Sequence, residues 1–129
     1  MNSKPFVLLA TIPLKPGCEA EYLSLVGPVN DAMRHEPTFV NTVLHRAADD
    51  PALFMLHETW LDQEDFFAVQ MKRPYRKAYE ARLPALLRAL RTMQVFEPLR
   101  SDFVFRTNPG GFLPGQEQPD RSPVFLHQG

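Results

Sequence analysis

The chain has 129 residues, 44% of them hydrophobic, with a formal net charge of −1 and a single cysteine, Cys18. These values suit one domain with a packed core, exclude an internal disulfide, and give no reason to expect nucleic acid or an anionic membrane as a partner. The apolar run FVLLATIPL is too short to span a membrane and has no signal-peptide cleavage site, so we expect a cytoplasmic protein.

The first two predicted elements are a strand and a helix. Residues 6–13 are rich in aliphatic, β-branched and aromatic side chains over a length too short for a buried helix, which predicts a strand. From residue 19 to residue 35, apolar side chains recur every three or four positions, which predicts a helix. A proline inside a helix removes one backbone hydrogen bond, so we expect a kink at Gly27-Pro28.

A β-hairpin is predicted next. Residues 38–46 and 53–61 are rich in β-branched and aromatic residues, and the turn sequence AADDPA joins them. Side chains alternate between the two faces of a strand. Strict alternation groups Phe39, Asn41, Val43 and His45 on one strand and Phe54, Leu56, Glu58 and Trp60 on the other. Both faces carry apolar side chains, so both faces are expected to be covered.

The following segment is predicted to be helical, with one more strand after it. Asp62 has the position and chemistry of an N-cap, and the helix after it is expected to break near Arg73-Pro74. Because proline is tolerated in a first helical turn, further helical pieces are predicted to begin at Pro74 and near Pro84. The inward stripe of the last piece would be Leu83, Leu86, Leu87 and Leu90. Residues 93–105 predict the final strand.

The last 23 residues differ in composition from the rest of the chain. They hold four of the six glycines and four of the thirteen prolines, which is typical of a segment without regular structure. We therefore predict one folded domain over residues 1–106 and a Pro/Gly-rich tail over residues 107–129.

The order strand, helix, strand, strand, helices, strand predicts an α+β fold with the helices on one face of an antiparallel sheet. The opposite face of the sheet is as apolar as the first, and this chain offers no further element to cover it. A second copy could bury that face by isologous contacts, which predicts a homodimer.

Three stretches of the chain together point to a known family. They are KPGCEAEYLSLVGPV, HEPTFVNTVLHRAADDPALFMLHETW and RPYRKAYEARLPALL. In their succession the sequence resembles the antibiotic biosynthesis monooxygenase (ABM) family over about residues 6–97. The resemblance implies a ferredoxin-like, dimeric α/β-barrel protein. It also implies oxidation of a hydroquinone-type or polycyclic aromatic substrate by O2 without a metal, flavin or haem cofactor.

Such a reaction needs an apolar chamber and a base that works near neutral pH. The resemblance suggests Glu58 or His45 as the proton acceptor, Trp60 as a flat wall and Asn41 as a hydrogen-bond donor to the substrate. The remaining predicted substrate-binding residues are Phe39, Phe54, Phe66, Gln70 and Tyr75.

Two positions depart from the family pattern. Gln70 and Tyr75 stand where many members have histidines; glutamine is not a base, and tyrosine ionises only near pH 10. These residues favour a second hypothesis, a non-catalytic dimer that binds or senses a small aromatic ligand. The four histidines have no zinc-ligand spacing such as HExxH, so no metal site is predicted.

Overall fold

A four-stranded antiparallel sheet is the centre of the fold. The computed structural model describes residues 3–106, so the predicted tail at 107–129 lies outside the described residues. Of the described residues, those up to Pro98 belong to a first compact unit. In the first unit the strands are β1 (Phe6–Pro13), β2 (Phe39–Ala47), β3 (Asp50–Trp60) and β4 (Thr92–Phe96), in the sheet order β2-β3-β1-β4.

The helices pack on one face of this sheet. They are α1 (Glu19–Met33), α2 (Gln63–Ala68) and α3 (Lys77–Leu86), with two short 3-10 helices at Gln70–Lys72 and Pro74–Arg76. The core lies between the layers and is built from alternate residues of β1 and β3 and one stripe of each long helix. The predicted α+β, ferredoxin-like fold is confirmed. Within residues 3–106, the helices are all too short or too polar to cross a membrane.

Several element boundaries differ from the sequence prediction. α1 ends at Met33, two residues before the predicted end, and contains Pro28, where Gly27, which lacks a Cβ, relieves the crowding that a residue before proline otherwise meets. The kink at Gly27-Pro28 stays a prediction. The hairpin turn is only Ala48-Asp49, because β3 begins at Asp50, whose carboxylate accepts the Ala52 N–H at 3.0 Å.

The end of the helical region also differs. No helix begins near Pro84, since Pro84 lies inside α3, which ends at Leu86. Leu87 is already extended and pairs with Leu14, and Leu90 is 86% exposed instead of facing inward. β4 covers only the first part of the strand predicted over residues 93–105.

A β-bulge at Val40 decides which β2 side chains face the helices. Phe39 pairs with Trp60, but the register then shifts by one residue, so that Asn41 pairs with Thr59 and Thr42 with Glu58. Residues paired across an antiparallel sheet share a face, and a one-residue shift turns every later side chain over. The predicted grouping of Phe39 with Asn41 and His45 is therefore wrong.

Candidate active site

Glu58 is a carboxylate in the core. It lies on the helix-facing side of β3, between Leu8 of β1 and Thr42 of β2, and is 5% exposed. Burial raises its pKa above the ordinary value, while a hydrogen bond from Trp60 and the charge of Arg76 act in the opposite direction. A general base works best when its pKa lies near the working pH, so a raised pKa brings a carboxylate closer to that requirement.

Trp60 holds this carboxylate in place. Its Nε1–H donates to Glu58 Oε1 at 2.9 Å, and the indole is fully buried. Phe39 and Phe66 contact the indole, with ring centroids at 5.2 and 5.1 Å. Trp60 is thus a packed core residue that orients Glu58, and its ring does not line the cavity described next.

A cavity of about 20 Å³ lies between the sheet and the helices, beside Glu58. This volume accommodates about one water-sized group, whereas a cavity of about 150 Å³ admits a benzene ring. Its apolar walls include Phe66 and Met71. The polar residues that line it are Asn30, Glu58, Arg76, Tyr79, Glu80 and Arg91.

Arg76 brings a buried positive charge to the same cavity. It is 6% exposed, and its guanidinium lies over the rings of Phe66 and Tyr75, with centroids at 5.4 and 5.9 Å. Its Nη2 donates to Met33 Sδ at 3.1 Å. Within residues 3–106, Arg76 forms no ion pair, and its Nε–H has no hydrogen-bond acceptor. A buried guanidinium without an ion-pair partner costs free energy, which makes Arg76 a candidate site residue.

Asn30 and Tyr79 complete the polar lining. The side-chain oxygen of Asn30 is buried and has no partner within the described part of the chain. The hydroxyl of Tyr79 is 2.9 Å from that of Tyr22 in the core, and burial raises the pKa of both phenols. At the rim, Arg91 pairs with Glu80 through two hydrogen bonds of 3.1 Å.

Gln70 and Tyr75 belong to a separate hydrogen-bond network that does not line the cavity. Gln70 is buried and donates to Asp65 at 3.0 Å. Tyr75 donates to Glu36 at 2.9 Å, and Glu36 also pairs with Arg73 at 3.1 Å. Burial, followed by the contact with Glu36, raises the pKa of Tyr75 to about 12. This network ties the two 3-10 helices to the end of α1 and to α2.

The predicted site residues therefore do not form a single chamber. Only Glu58 and Phe66 of the predicted set line the cavity. Phe54 packs against Tyr22 in the core, with ring centroids 5.2 Å apart. Because of the bulge, Asn41 and His45 lie on the other sheet face, opposite Thr59 and Met55.

Sequence reasoning missed Asn30 and Arg76 as site residues, although a signal was present. Asn30 follows Tyr22, Val26 and Val29 on the buried stripe of α1. Arg76 precedes the buried residues Tyr79, Leu83 and Leu86 at spacings of three, four and three. A polar residue at a position of the core stripe is the feature that singles out both.

Within residues 3–106, no group of three or more histidine, cysteine, aspartate or glutamate side chains is arranged to hold a metal ion. The polar groups at the cavity are instead one carboxylate, one guanidinium, one amide and one phenol, with the Glu80–Arg91 pair at its rim. Such a set suits proton transfer and hydrogen bonding to an organic ligand.

The fold and the site together define a ferredoxin-like α+β protein with a small cavity between its sheet and its helices, lined by a buried carboxylate and a buried guanidinium. The sequence model of the family described as antibiotic biosynthesis monooxygenase matches residues 5–81. The chain belongs to this family. Among curated protein sequences, no relative matches significantly.

Solved structures share the fold at low sequence identity. An antibiotic biosynthesis monooxygenase is similar at 19% identity with a TM-score of 0.67, over 74% of this chain and 99% of that one. Rv0793 from Mycobacterium tuberculosis is similar at 19% identity with a TM-score of 0.69, over 76% of this chain and 98% of that one. A mutant of SnoaB, a cofactor-independent oxygenase from Streptomyces nogalater, is similar at 18% identity with a TM-score of 0.66, over 77% of this chain and 97% of that one.

Proposed function

We propose that this protein is a cofactor-independent monooxygenase that oxidises a hydroquinone-type or polycyclic aromatic substrate with O2, with Glu58 as the proton acceptor. The observation that carries the proposal is the buried carboxylate of Glu58, with its raised pKa, at the wall of a cavity. Membership of the ABM family supports a monooxygenase activity in general.

In the proposed reaction, Glu58 removes the proton of a phenolic hydroxyl, and the resulting phenolate transfers one electron to O2. The substrate radical and superoxide combine at a ring carbon that carries a hydrogen, and the peroxide anion so formed takes the proton back from Glu58. Loss of water leaves a carbonyl at that carbon. One oxygen atom of O2 enters the product, and the other leaves as water.

Substrate entry would require the cavity to widen, because about 20 Å³ admits the hydroxyl oxygen but not an aromatic ring. Met71 has a flexible side chain that can move aside. It lies in the segment of two short 3-10 helices, which the contacts of Glu36 and Asp65 hold in place. We propose that this segment moves when the substrate enters.

The roles of the other predicted residues change with their positions. Trp60 is proposed to orient Glu58 through its 2.9 Å hydrogen bond and not to act as a wall against the substrate. His45 and Asn41 lie on the opposite sheet face, so neither is retained as a catalytic or substrate-binding residue of this cavity. Gln70 and Tyr75 are proposed to hold the moving segment.

The open face of the sheet supports the proposal of a homodimer. Val7, Leu9 and Met55 lie on this face together with His57, and Val43 is 43% exposed there. An apolar sheet face of this kind is normally covered in solution. A second copy, packing face to face, would bury His45 and Asn41 at the interface. A cytoplasmic location stays a prediction from the sequence.

A specific observation favours the second hypothesis, a non-catalytic protein that binds a small aromatic ligand. Both positions at which many ABM members have histidines hold residues committed to a structural network, since Gln70 bonds to Asp65 and Tyr75 to Glu36. In that case Glu58 would accept a hydrogen bond from a ligand hydroxyl without turnover.

Oxygen uptake separates the two hypotheses. Purified protein free of metal and haem is mixed with a panel of hydroquinones and anthrols in an oxygen electrode. We expect uptake above the spontaneous rate, and a reduction of about 100-fold or more in Glu58→Gln, since a general base contributes about that much. Glu97→Gln is the matched control, because Glu97 is exposed and outside the cavity. A folded protein without uptake on any substrate would favour the ligand-binding hypothesis.

A further inference from the structure

A cation and a carboxylate face the same small cavity without touching each other. Glu58 and Arg76 both line it, yet no ion pair joins them within residues 3–106. The positive charge of Arg76 nevertheless lowers the pKa of Glu58 against the effect of burial, so the two groups interact electrostatically. The cavity that both residues line is about the size of one water molecule.

Three polar atoms of the residues that line this cavity are not used in side-chain hydrogen bonds within residues 3–106. Trp60 occupies Oε1 of Glu58, and Oε2 takes part in none of the side-chain hydrogen bonds of the described residues. Arg76 Nε–H is a donor without an acceptor, and Asn30 Oδ1 is an acceptor without a donor, among residues 3–106. A ligand atom that uses both kinds of group must therefore accept a hydrogen bond from Arg76 and donate one to Glu58 or to Asn30.

A hydroxyl group does both, since it has one O–H donor and two acceptor lone pairs. An ether oxygen only accepts. A carboxylate also only accepts, and it would place a second negative charge opposite Glu58. An ammonium group only donates, and it would stand next to the positive charge of Arg76. Of these groups, only the hydroxyl can use the free donor together with one of the two free acceptors.

We infer that Arg76 and Glu58 form a subsite for one un-ionised hydroxyl group of an aromatic ligand, with Asn30 beside it as the alternative acceptor. Arg76 Nε–H donates to the hydroxyl oxygen, and the hydroxyl O–H donates a hydrogen bond to Glu58. This inference rests on the proposed function in taking an aromatic ligand, and it names the group by which that ligand is recognised. Because Arg76 is positively charged, it also stabilises the oxygen after its proton has moved to Glu58.

Binding measurements test the subsite without any turnover. The affinities of 1-naphthol, 1-methoxynaphthalene and 1-naphthoate are compared by isothermal titration calorimetry at pH 7. We expect 1-naphthol to bind at least about tenfold more tightly than its methyl ether, which cannot donate to Glu58, and more tightly than the carboxylate.

Variants of Arg76 identify the donor. Arg76→Met removes the guanidinium but keeps an unbranched side chain of similar length. It is expected to reduce the preference for 1-naphthol over the ether to about twofold or less. Arg76→Lys keeps a cation and is expected to restore part of the preference. Arg82→Met is the matched control, because Arg82 lies on α3 but pairs with Glu21 at the surface. Its preference should equal that of the unchanged protein.

Three results would overturn the inference: equal affinities of the unchanged protein for 1-naphthol and its ether, no binding of any of the three compounds, or a full preference in folded Arg76→Met. The first two results need no variant, so they hold even if Arg76→Met does not fold. A hydroxyl preference in a protein without oxygen uptake would contradict the proposed oxygenase and leave the subsite standing. Uptake without any hydroxyl preference would do the reverse.

Discussion

Trp60 donates a hydrogen bond of 2.9 Å to Glu58, two residues before it on the same buried face of β3. The indole therefore satisfies one carboxylate oxygen in the core, while burial still raises the pKa of Glu58. Local sequence alone positions the proposed proton acceptor beside its donor, since residues two apart on a strand share a face.

Glu58→Gln is expected to change how stability depends on pH. The folded pKa of Glu58 lies above its ordinary value of 4.5, so between these two values the folded protein holds a proton that the unfolded chain has released. Stability from this group is fully present below about pH 4.5 and is lost as the pH rises through the folded pKa. Glutamine does not titrate, so the variant does not lose this contribution as the pH rises. The Tm of Glu58→Gln minus the Tm of the unchanged protein should therefore be larger at pH 8 than at pH 5.

Trp60→Phe is expected to destabilise the fold by about 1–3 kcal/mol, because a buried acceptor loses its donor and the smaller ring leaves a gap. The loss should be greater at pH 8 than at pH 5, since ionised Glu58 depends on the donor more than the protonated form does. Urea unfolding followed by far-UV circular dichroism measures it. If the same pH dependence persisted in the Glu58→Gln background, the Trp60–Glu58 hydrogen bond would not be its cause.

The three tyrosines of the chain are expected to ionise late. Burial raises the pKa of Tyr22 and Tyr79, and burial together with the contact to Glu36 raises that of Tyr75 to about 12. Absorbance at about 295 nm should show little tyrosinate in the folded protein at pH 10, where an unperturbed tyrosine is about half ionised. A full tyrosinate signal at pH 10 with intact circular dichroism would show that the phenols are not buried as described.

Glu36→Gln is expected to loosen the segment over the cavity. The change removes the charge that pairs with Arg73 and weakens the hydrogen bond from Tyr75. Hydrogen exchange followed by mass spectrometry should be faster over residues 69–76, with little change in β1. The matched control is Glu97→Gln, which should leave exchange in that segment unaltered. Equal protection in Glu36→Gln would mean that other contacts hold the segment.

Much of the fold was predictable because local signals agreed with the tertiary structure. β1 begins and ends where its composition predicted. Asp62 caps α2 as expected, with its carboxylate accepting the Asp65 N–H at 2.9 Å. The sequence predicted a separate helix beginning near Pro84, because proline is accepted in a first helical turn. Pro84 instead lies in the last turn of α3, which buried side chains hold against the core.

The candidate site was less predictable than the fold. A bulge of one residue at Val40 leaves no trace in a strand whose two faces are both apolar, so alternation placed Asn41 and His45 beside Glu58 when they lie on the other face. Arg76 was hidden for a different reason. It lies in a run of basic residues, and only the three-dimensional packing distinguishes it from the surface arginines that pair with carboxylates.

The pH dependence of kcat/KM for oxygen uptake tests most directly whether Glu58 is the proton acceptor. In the unchanged protein we expect an acid limb with an apparent pKa above 4.5, with the rate rising as Glu58 ionises. In Glu58→Gln we expect a rate lower by about 100-fold or more and no acid limb. An unchanged limb at an unchanged rate in folded Glu58→Gln would contradict the assignment and would mean that another group takes the proton.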